Sequence, residues 1–190
     1  MIHKTFTVIL TSIILCGLIA LAVLGHGLTT AASSSLPCVL LVDDDQDSPD
    51  VRTYYTSALD ELGATYDVWD VAGQGSPSAS DLMGYRMVIW FTGYPRSDTF
   101  TSANEAAVAT YLDAKGRFCL VSEDYLYERG LNSFGLSRLR IGSYTSDVNR
   151  TDPVGNGGHP VGNGLGPYSL TAPDGWPGDL YTDNVNNGGG

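Results

Sequence analysis

Basic residues are scarce in this 190-residue chain: ten Lys and Arg stand against 21 Asp and Glu, and the formal net charge is −11. A protein that binds DNA or RNA needs a basic surface to replace the counterions of the phosphates. The shortage of positive charge therefore excludes nucleic acid as an expected partner. Hydrophobic residues make up 43% of the chain, which excludes an intrinsically disordered protein and is typical of a globular domain.

Cysteine and histidine are rare as well, with three residues of each type. After residue 32 only Cys38 and Cys119 remain, which are too few for a fold held together by disulfides. Both lie in apolar runs, so we expect them to be small buried side chains. His159 is the only histidine after residue 32, and histidine-dependent chemistry is limited to that position.

The longest hydrophobic run occupies residues 5–25, between the basic start at Lys4 and the small residues 30–32. This order is typical of a cleaved export signal over residues 1–32. The run is also long enough to span a bilayer, so an uncleaved membrane anchor is the alternative, and membrane contact is expected only there. In both cases we expect the rest of the chain, which holds every acidic residue, to be secreted or extracytoplasmic.

Short apolar runs alternate with segments of helical periodicity from residue 37 to about residue 131. The apolar runs predict strands over residues 38–42, 87–91 and 118–121, and period-two alternation predicts a strand nearer an edge over residues 66–71. The segments between them predict helices over residues 49–62 and 101–114, a helical turn over 81–85 and a short helix over 125–131. This alternation predicts a three-layer α/β domain with a parallel sheet over residues 37–150.

Glycine and proline are concentrated in residues 151–190, which hold 11 of the 23 glycines and five of the nine prolines. Turns are expected to dominate this stretch. Residues 139–144 and 168–171 are candidates for further short strands. We expect a Gly/Pro-rich C-terminal extension of the domain or a linker, followed by further domains of a larger protein.

Three motifs of the strand segments resemble a known family: LLVDDD at residues 40–45, YDVWD at 66–70 and VIWFTG at 88–93. They resemble a domain of secreted multidomain bacterial proteins whose fold is similar to the class I glutamine amidotransferase-like family. A His-Pro-aliphatic turn at residues 158–161 is similar to turns in amidotransferase-like proteins. The resemblance spans about residues 38–171 and implies a flavodoxin-like sheet and an accessory role in an exported protein, without a settled activity.

Amidotransferase-like enzymes carry a nucleophilic cysteine at a strand-to-helix elbow between small residues. In this chain Cys119 lies within a predicted strand, and no glycine flanks Ser122. The missing elbow favours a binding or accessory module without a conventional catalytic site, in which Ser122 caps a helix. The alternative is a degenerate or unusual hydrolase that uses Ser122 or Cys119 with His159.

Aspartates cluster directly after the first predicted strand, at positions 43, 44, 45, 47 and 50. Neighbouring carboxylates repel one another, so a cation or N–H donors must offset their charge. Asp43, Asp45 and Asp47 are candidate ligands of Ca²⁺, because Ca²⁺ prefers oxygen ligands, although the fold does not require a metal there. The alternative is a solvated turn in which Asp47 or Ser48 caps the first helix. No other cofactor is expected.

Acidic and tyrosine side chains also follow the other predicted strands, where open α/β folds bind ligands. Tyrosine rings and carboxylates together suit a carbohydrate or a peptide. The alternative is that these amphipathic residues cover the edge of the sheet. The ligand-binding candidates are Asp44, Asp45, Tyr94, Glu123 and Tyr125.

Overall fold

Four parallel strands form the main sheet in a computed structural model that describes residues 37–148, 152–155, 157–158, 162–169 and 182–188. The sheet order is β2-β1-β3-β4, with β1 at Val39–Asp43, β2 at Tyr66–Asp70, β3 at Met87–Phe91 and β4 at Arg117–Val121. Ile89 lies opposite Leu41 on one side and Cys119 on the other. The predicted α/β fold with a parallel sheet is confirmed.

The described residues contain six helices, of which the two long ones match the predicted helices. The longer, α4, begins with a capping box in which the Thr101 side chain and Asn104 each accept the backbone N–H of the other. The two short helices α2 and α6 were not predicted. The helices are α1 (Arg52–Glu61), α2 (Val71–Gln74), α3 (Ala79–Leu82), α4 (Ser102–Asp113), α5 (Tyr125–Arg129) and α6 (Ser133–Ser137).

Buried side chains pack on both faces of the sheet. On one face, Trp90 of β3 lies among residues of α4 and meets the ring of Phe100 edge-on, with centroids 5.0 Å apart. On the other face, Tyr55 of α1 stacks on Phe91 at 4.1 Å. The strand period of two explains this division, since successive side chains point to opposite faces.

The edge strand β4 is covered on one face only, within the part of the chain that the structure describes. Phe118 and Leu120 pack against the larger core, whereas Cys119 and Val121 point to the other face and are exposed. The core cluster around α1 takes residues from β1, β2 and β3, and α1 does not extend over β4. The expectation of buried cysteines is therefore wrong: Cys119 lies on this uncovered face, and Cys38 lies exposed just before β1.

A second, antiparallel sheet pairs β5 (Ile141–Thr145) with β6 (Asn184–Asn187), so that Tyr144 lies opposite Val185. The sequence predicts β5 but not β6, because asparagine has low strand propensity. The strand predicted over residues 168–171 is not formed at residues 168–169, and residues 170–171 lie outside the described part.

Three sequence predictions fall on residues that the structure does not describe: the export signal over 1–32, the alternative anchor over 5–25 and the position of His159. Within the described ranges, no helix combines the length and apolar character needed to cross a membrane.

Candidate functional site

The carboxyl ends of β1, β3 and β4 meet at one edge of the main sheet, where open α/β folds bind their ligands. The acidic turn at residues 43–45 lies against the loop that follows β3. Gly93 in that loop has a φ of +58°, and a Cβ atom there would lie 2.5 Å from the Cβ of Asp45. A glycine at this position therefore lets the two loops approach closely.

Asp43 is buried, with 2% of its side chain exposed, and it accepts a hydrogen bond from Nε of Arg52. The same guanidinium places its Nη2 3.5 Å from Asp70. Burial raises the pKa of Asp43 to about 6, although the hydrogen bond from Arg52 opposes this shift. Arg52 thus supplies positive charge directly to the acidic turn.

Asp44 is 4% exposed and accepts a hydrogen bond of 2.9 Å from the indole Nε1 of Trp90. Burial raises the pKa of Asp44 to about 6, and the bond from Trp90 acts in the opposite direction. Because its carboxylate is buried against the core, this ligand-binding candidate serves the packing of β1 on β3.

Asp45 accepts hydrogen bonds from the backbone at and before the start of α1. Its side chain is 1% exposed; Oδ1 accepts the N–H of Asp47 at 2.8 Å and Oδ2 accepts the N–H of Val51 at 2.7 Å. Gln46 and Asp47 adopt left-handed backbone angles, φ 57° and 53°, which turn the chain back toward this carboxylate. The expectation that Asp47 or Ser48 caps the helix is wrong, because Asp45 already holds that turn from the buried side.

Three carboxylates converge among the described residues: Asp43, Asp45 and Asp50, each with one oxygen within 4.8 Å of the others. Asp50 joins this trio in place of Asp47. Arg52 and two backbone N–H groups already offset the charge of Asp43 and Asp45. These oxygens suit a hard cation, and a Ca²⁺ site stays a prediction.

Ser122 follows β4, and its Oγ accepts hydrogen bonds from Oγ1 of Thr92 at 2.8 Å and from the N–H of Tyr125 at 3.1 Å. The second bond satisfies the N–H of the first residue of α5, but the N-cap residue of that helix is Asp124 and not Ser122. Desolvation raises the pKa of the Cys119 thiol, which lowers the fraction of reactive thiolate. His159 lies outside the described residues, so its approach to either nucleophile stays a prediction.

Tyr125 is buried, and its hydroxyl donates to Oε1 of Glu105 at 3.1 Å. The same Glu105 oxygen accepts bonds from Arg129 at 3.2 Å and from Asn132 at 2.8 Å. This polar network ties α5 and the residues after it to α4. The hydroxyl of Tyr125 therefore has a structural partner, although its ring forms part of a cavity wall.

Two concave surfaces lie at this edge of the sheet, and they share Val121, Ser122 and Glu123. The smaller, which we name the tyrosine cleft, has a volume of about 220 Å³ and includes Tyr94. Of the sequence candidates, Tyr94, Glu123 and Tyr125 thus line these concave surfaces. The other residues of the tyrosine cleft are Val51, Tyr54, Tyr55 and Gly93.

The larger surface, which we name the edge cavity, has a volume of about 790 Å³ and lies between β4 and the β5–β6 sheet. Its apolar wall comes from both sheets, and polar groups stand at its border. No sequence signal identified this cavity, because β6 comes from the glycine-rich tail. The lining residues besides those shared with the tyrosine cleft are Leu120, Tyr125, Leu126, Leu139, Arg140, Ile141, Thr182, Asp183, Val185, Asn186 and Asn187.

Four carboxylates border a hollow next to the edge cavity: Glu123, Asp124, Asp147 and Asp183, which we name the acidic rim. Asp183 accepts the N–H of Asp147 at 3.1 Å. Burial raises the pKa values of Asp124 and Asp183, and the charge of Asp147 adds to both shifts. Glu123 and Asp183 belong to the rim and also line the edge cavity, so negative charge borders its opening.

The strand motifs predict a relationship to class I glutamine amidotransferase-like domains. The described residues form a sheet of four parallel strands, and sheets of this kind occur in many families, so this relationship stays a prediction. Comparison of the chain with protein-family models, curated proteins and solved structures finds no match.

Proposed function

We propose that this chain is an extracytoplasmic, non-catalytic binding module of a larger secreted or cell-surface protein. Its scaffold would be a three-layer flavodoxin-like sheet of the class I glutamine amidotransferase-like type, and the order β2-β1-β3-β4 is compatible with that layout. Residues 1–32 would direct export, by a cleaved signal or as an anchor.

The observation that carries this proposal is the pair of adjoining concave surfaces at the carboxyl edge of the sheet. Ligand sites in proteins are mostly apolar concavities of about 300–1,000 Å³ with a few polar groups. The edge cavity, at about 790 Å³, has this size and this mixture of apolar wall and polar border. Because both surfaces include Val121, Ser122 and Glu123, a ligand bound in one surface would lie next to the other surface.

The ligand would be a carbohydrate or a peptide. Tyr54, with 71% of its surface exposed, and Tyr94 present aromatic rings beside Glu123, a combination that suits one sugar ring in the tyrosine cleft. The apolar wall of the edge cavity suits the side chains of a peptide.

Screening the full-length protein against an oligosaccharide array and a peptide library tests this proposal. We expect at least one ligand to bind. If it occupies the tyrosine cleft, Tyr94→Ala should abolish binding. If it occupies the edge cavity, Val185→Asp should abolish binding. Leu62→Asp is the matched control, because Leu62 is exposed at the far end of α1 and lines neither surface. The proposal is contradicted if no ligand binds, or if a ligand binds both variants with the same affinity as the original protein.

The alternative function is a hydrolase that uses Ser122 or Cys119 with His159. The engaged Oγ of Ser122 and the raised pKa of Cys119 argue against it, since neither group is activated by the residues described around it. A hydrolytic activity lost on His159→Ala and on Ser122→Ala or Cys119→Ala would establish this alternative and overturn the binding-module proposal.

A further inference from the structure

The outer edge of β4 has no strand partner among the residues that the structure describes. Within the described residues β4 pairs with β3 alone. The carbonyl of Val121 accepts the N–H of Thr92, and the N–H of Arg117 donates to Arg86, so odd-numbered residues of β4 face β3. Backbone groups alternate in direction along a strand, and the N–H and C=O of Phe118 and Leu120 must therefore point to the outer edge.

The edge cavity adjoins the carboxyl end of this outer edge. Leu120 and Val121 of β4 line it, whereas Phe118 does not. The side chains of Leu120 and Val121 point to opposite faces of the sheet. The cavity therefore meets the end of β4, where the outward N–H and C=O of Leu120 lie.

The wall opposite β4 combines apolar and polar side chains. Ile141 of β5 and Val185 of β6 supply apolar surface, beside the polar Asn186 and Asn187 of β6. An unpaired strand edge beside apolar side chains is the arrangement by which proteins bind extended peptides, with backbone bonds giving affinity and alternate side chains giving specificity. The hydroxyl groups of a sugar could also bond the backbone groups of Leu120, but a sugar has no alternating side chains to place against Ile141 and Val185.

The charge around the cavity selects among peptides. Glu123 and Asp183 of the acidic rim line the cavity, and Arg140 is the only basic residue among its described lining residues. Of the remaining rim carboxylates, Asp147 adds to the negative field, and the charge of Asp124 is partly offset by Arg96. An incoming segment with lysine or arginine would relieve the repulsion among these groups, whereas an acidic segment would increase it.

We propose that the edge cavity binds an extended, positively charged peptide segment, which adds a parallel or antiparallel strand to the outer edge of β4 and places its apolar side chains against Ile141 and Val185. This inference rests on the proposed binding function and narrows it to one ligand class. The partner is thus an exposed basic and apolar strand or tail of another exported protein.

Calorimetric titration of the full-length protein with capped synthetic hexapeptides tests this inference. The probes are an alternating Val-Lys peptide, an alternating Val-Glu peptide and a Val-Lys peptide with N-methyl groups on alternate residues, in both registers. We expect the Val-Lys peptide to bind, the Val-Glu peptide to show no binding, and N-methylation in one register to weaken binding at least about ten-fold, because it removes backbone donors and keeps the side chains.

A charge variant of the protein provides the second measurement. Glu123→Gln combined with Asp183→Asn should weaken the Val-Lys peptide about ten-fold at low salt, since each rim charge contributes a modest attraction. The matched control combines Glu61→Gln with Asp113→Asn, which removes the same charge at residues that do not line the cavity. The control should leave the affinity unchanged.

The outcomes separate this inference from the proposed function. Val-Lys binding that tolerates N-methylation in both registers, or that keeps its full affinity in Val185→Ser, overturns strand addition to β4. An oligosaccharide that binds and responds to the cavity variants, while the peptides do not bind, overturns the inference and leaves the proposed binding function in place. Failure of both peptides and oligosaccharides to bind overturns both.

Discussion

Arg52 donates its Nε hydrogen to the carboxylate of Asp43, so the first turn of α1 supplies a counter-charge to the acidic turn that ends β1. This ion pair joins the helix to the central strand nine residues earlier. It also gives the buried carboxylate the partner that its desolvation requires. The acidic turn is thus stabilised by the chain's own cation and N–H donors.

Replacing Arg52 with methionine should destabilise the protein by about 2–4 kcal/mol near pH 7, because the substitution leaves a buried carboxylate without its partner. The loss should be smaller near pH 4, where Asp43, with its pKa raised to about 6, is protonated. Urea unfolding at the two pH values measures both changes.

Arg138→Met is the matched control for that experiment. Arg138 pairs with Asp113 at the surface, and the Asp113 side chain is 62% exposed. Exposed ion pairs contribute about 0–1 kcal/mol. A loss at Arg52 no larger than the loss at Arg138 would show that the buried pair has no special role in stability.

A calcium site predicts that the melting temperature of the protein depends on Ca²⁺. If Ca²⁺ binds Asp43, Asp45 and Asp50, the Tm should rise with added Ca²⁺ and fall with a chelator, because a ligand of the native state stabilises it. Asp50→Asn should remove this response, since Asp50 is the exposed member of the trio, and Asp113→Asn should keep it. A Tm that neither Ca²⁺ nor the chelator changes contradicts the calcium site.

Asp44 makes stability depend on pH in a defined direction. Burial raises its pKa from 3.8 to about 6, so the folded state binds a proton more tightly than the unfolded state. The contribution of Asp44 to stability is therefore fully present below pH 3.8, falls as the pH rises through this interval, and stays at its lowest value above about 6.

Asp44→Asn tests that direction by removing the ionisation while keeping an oxygen acceptor for the indole of Trp90. Relative to the original protein, the variant should gain stability as the pH rises from 4 to 7, so that the difference is largest near pH 7. Urea unfolding over this interval gives the difference curve. A flat curve, or one of opposite slope, would contradict the buried and titrating Asp44.

The strands of the main sheet were predictable because a strand covered on both faces consists almost wholly of apolar residues, as in Val88-Ile89-Trp90-Phe91. The exposure of Cys119 was not predictable from the same rule. Its run is as apolar as that of β3, but β4 lies at an edge and α1 does not reach it. Apolar content therefore located the strands without showing which of them lie at an edge.

The position of the acidic turn could be predicted from the sequence, but its hydrogen bonds could not. Position after β1 was enough to locate Asp43, Asp44 and Asp45 at the carboxyl edge of the sheet. Their separate roles depend on partners distant in sequence, such as Trp90, 46 residues away from Asp44. The edge cavity depends on a similarly distant connection, the pairing of Tyr144 with Val185, for which the sequence carries no local signal.

The reactivity of Cys119 distinguishes an accessory module from a cysteine hydrolase. Because desolvation raises the pKa of its thiol, alkylation by iodoacetamide near pH 7 should be slower than that of a small-molecule thiol and should accelerate as the pH rises. Peptide mapping by mass spectrometry measures the rate at this site, with the exposed Cys38 as a reference in the same chain.

An activated nucleophile would instead react fast at neutral pH, and its reaction would slow down on His159→Ala. Rapid labelling of Cys119 that depends on His159 would therefore favour the hydrolase, whereas slow labelling that His159→Ala leaves unchanged removes Cys119 from the catalytic alternatives.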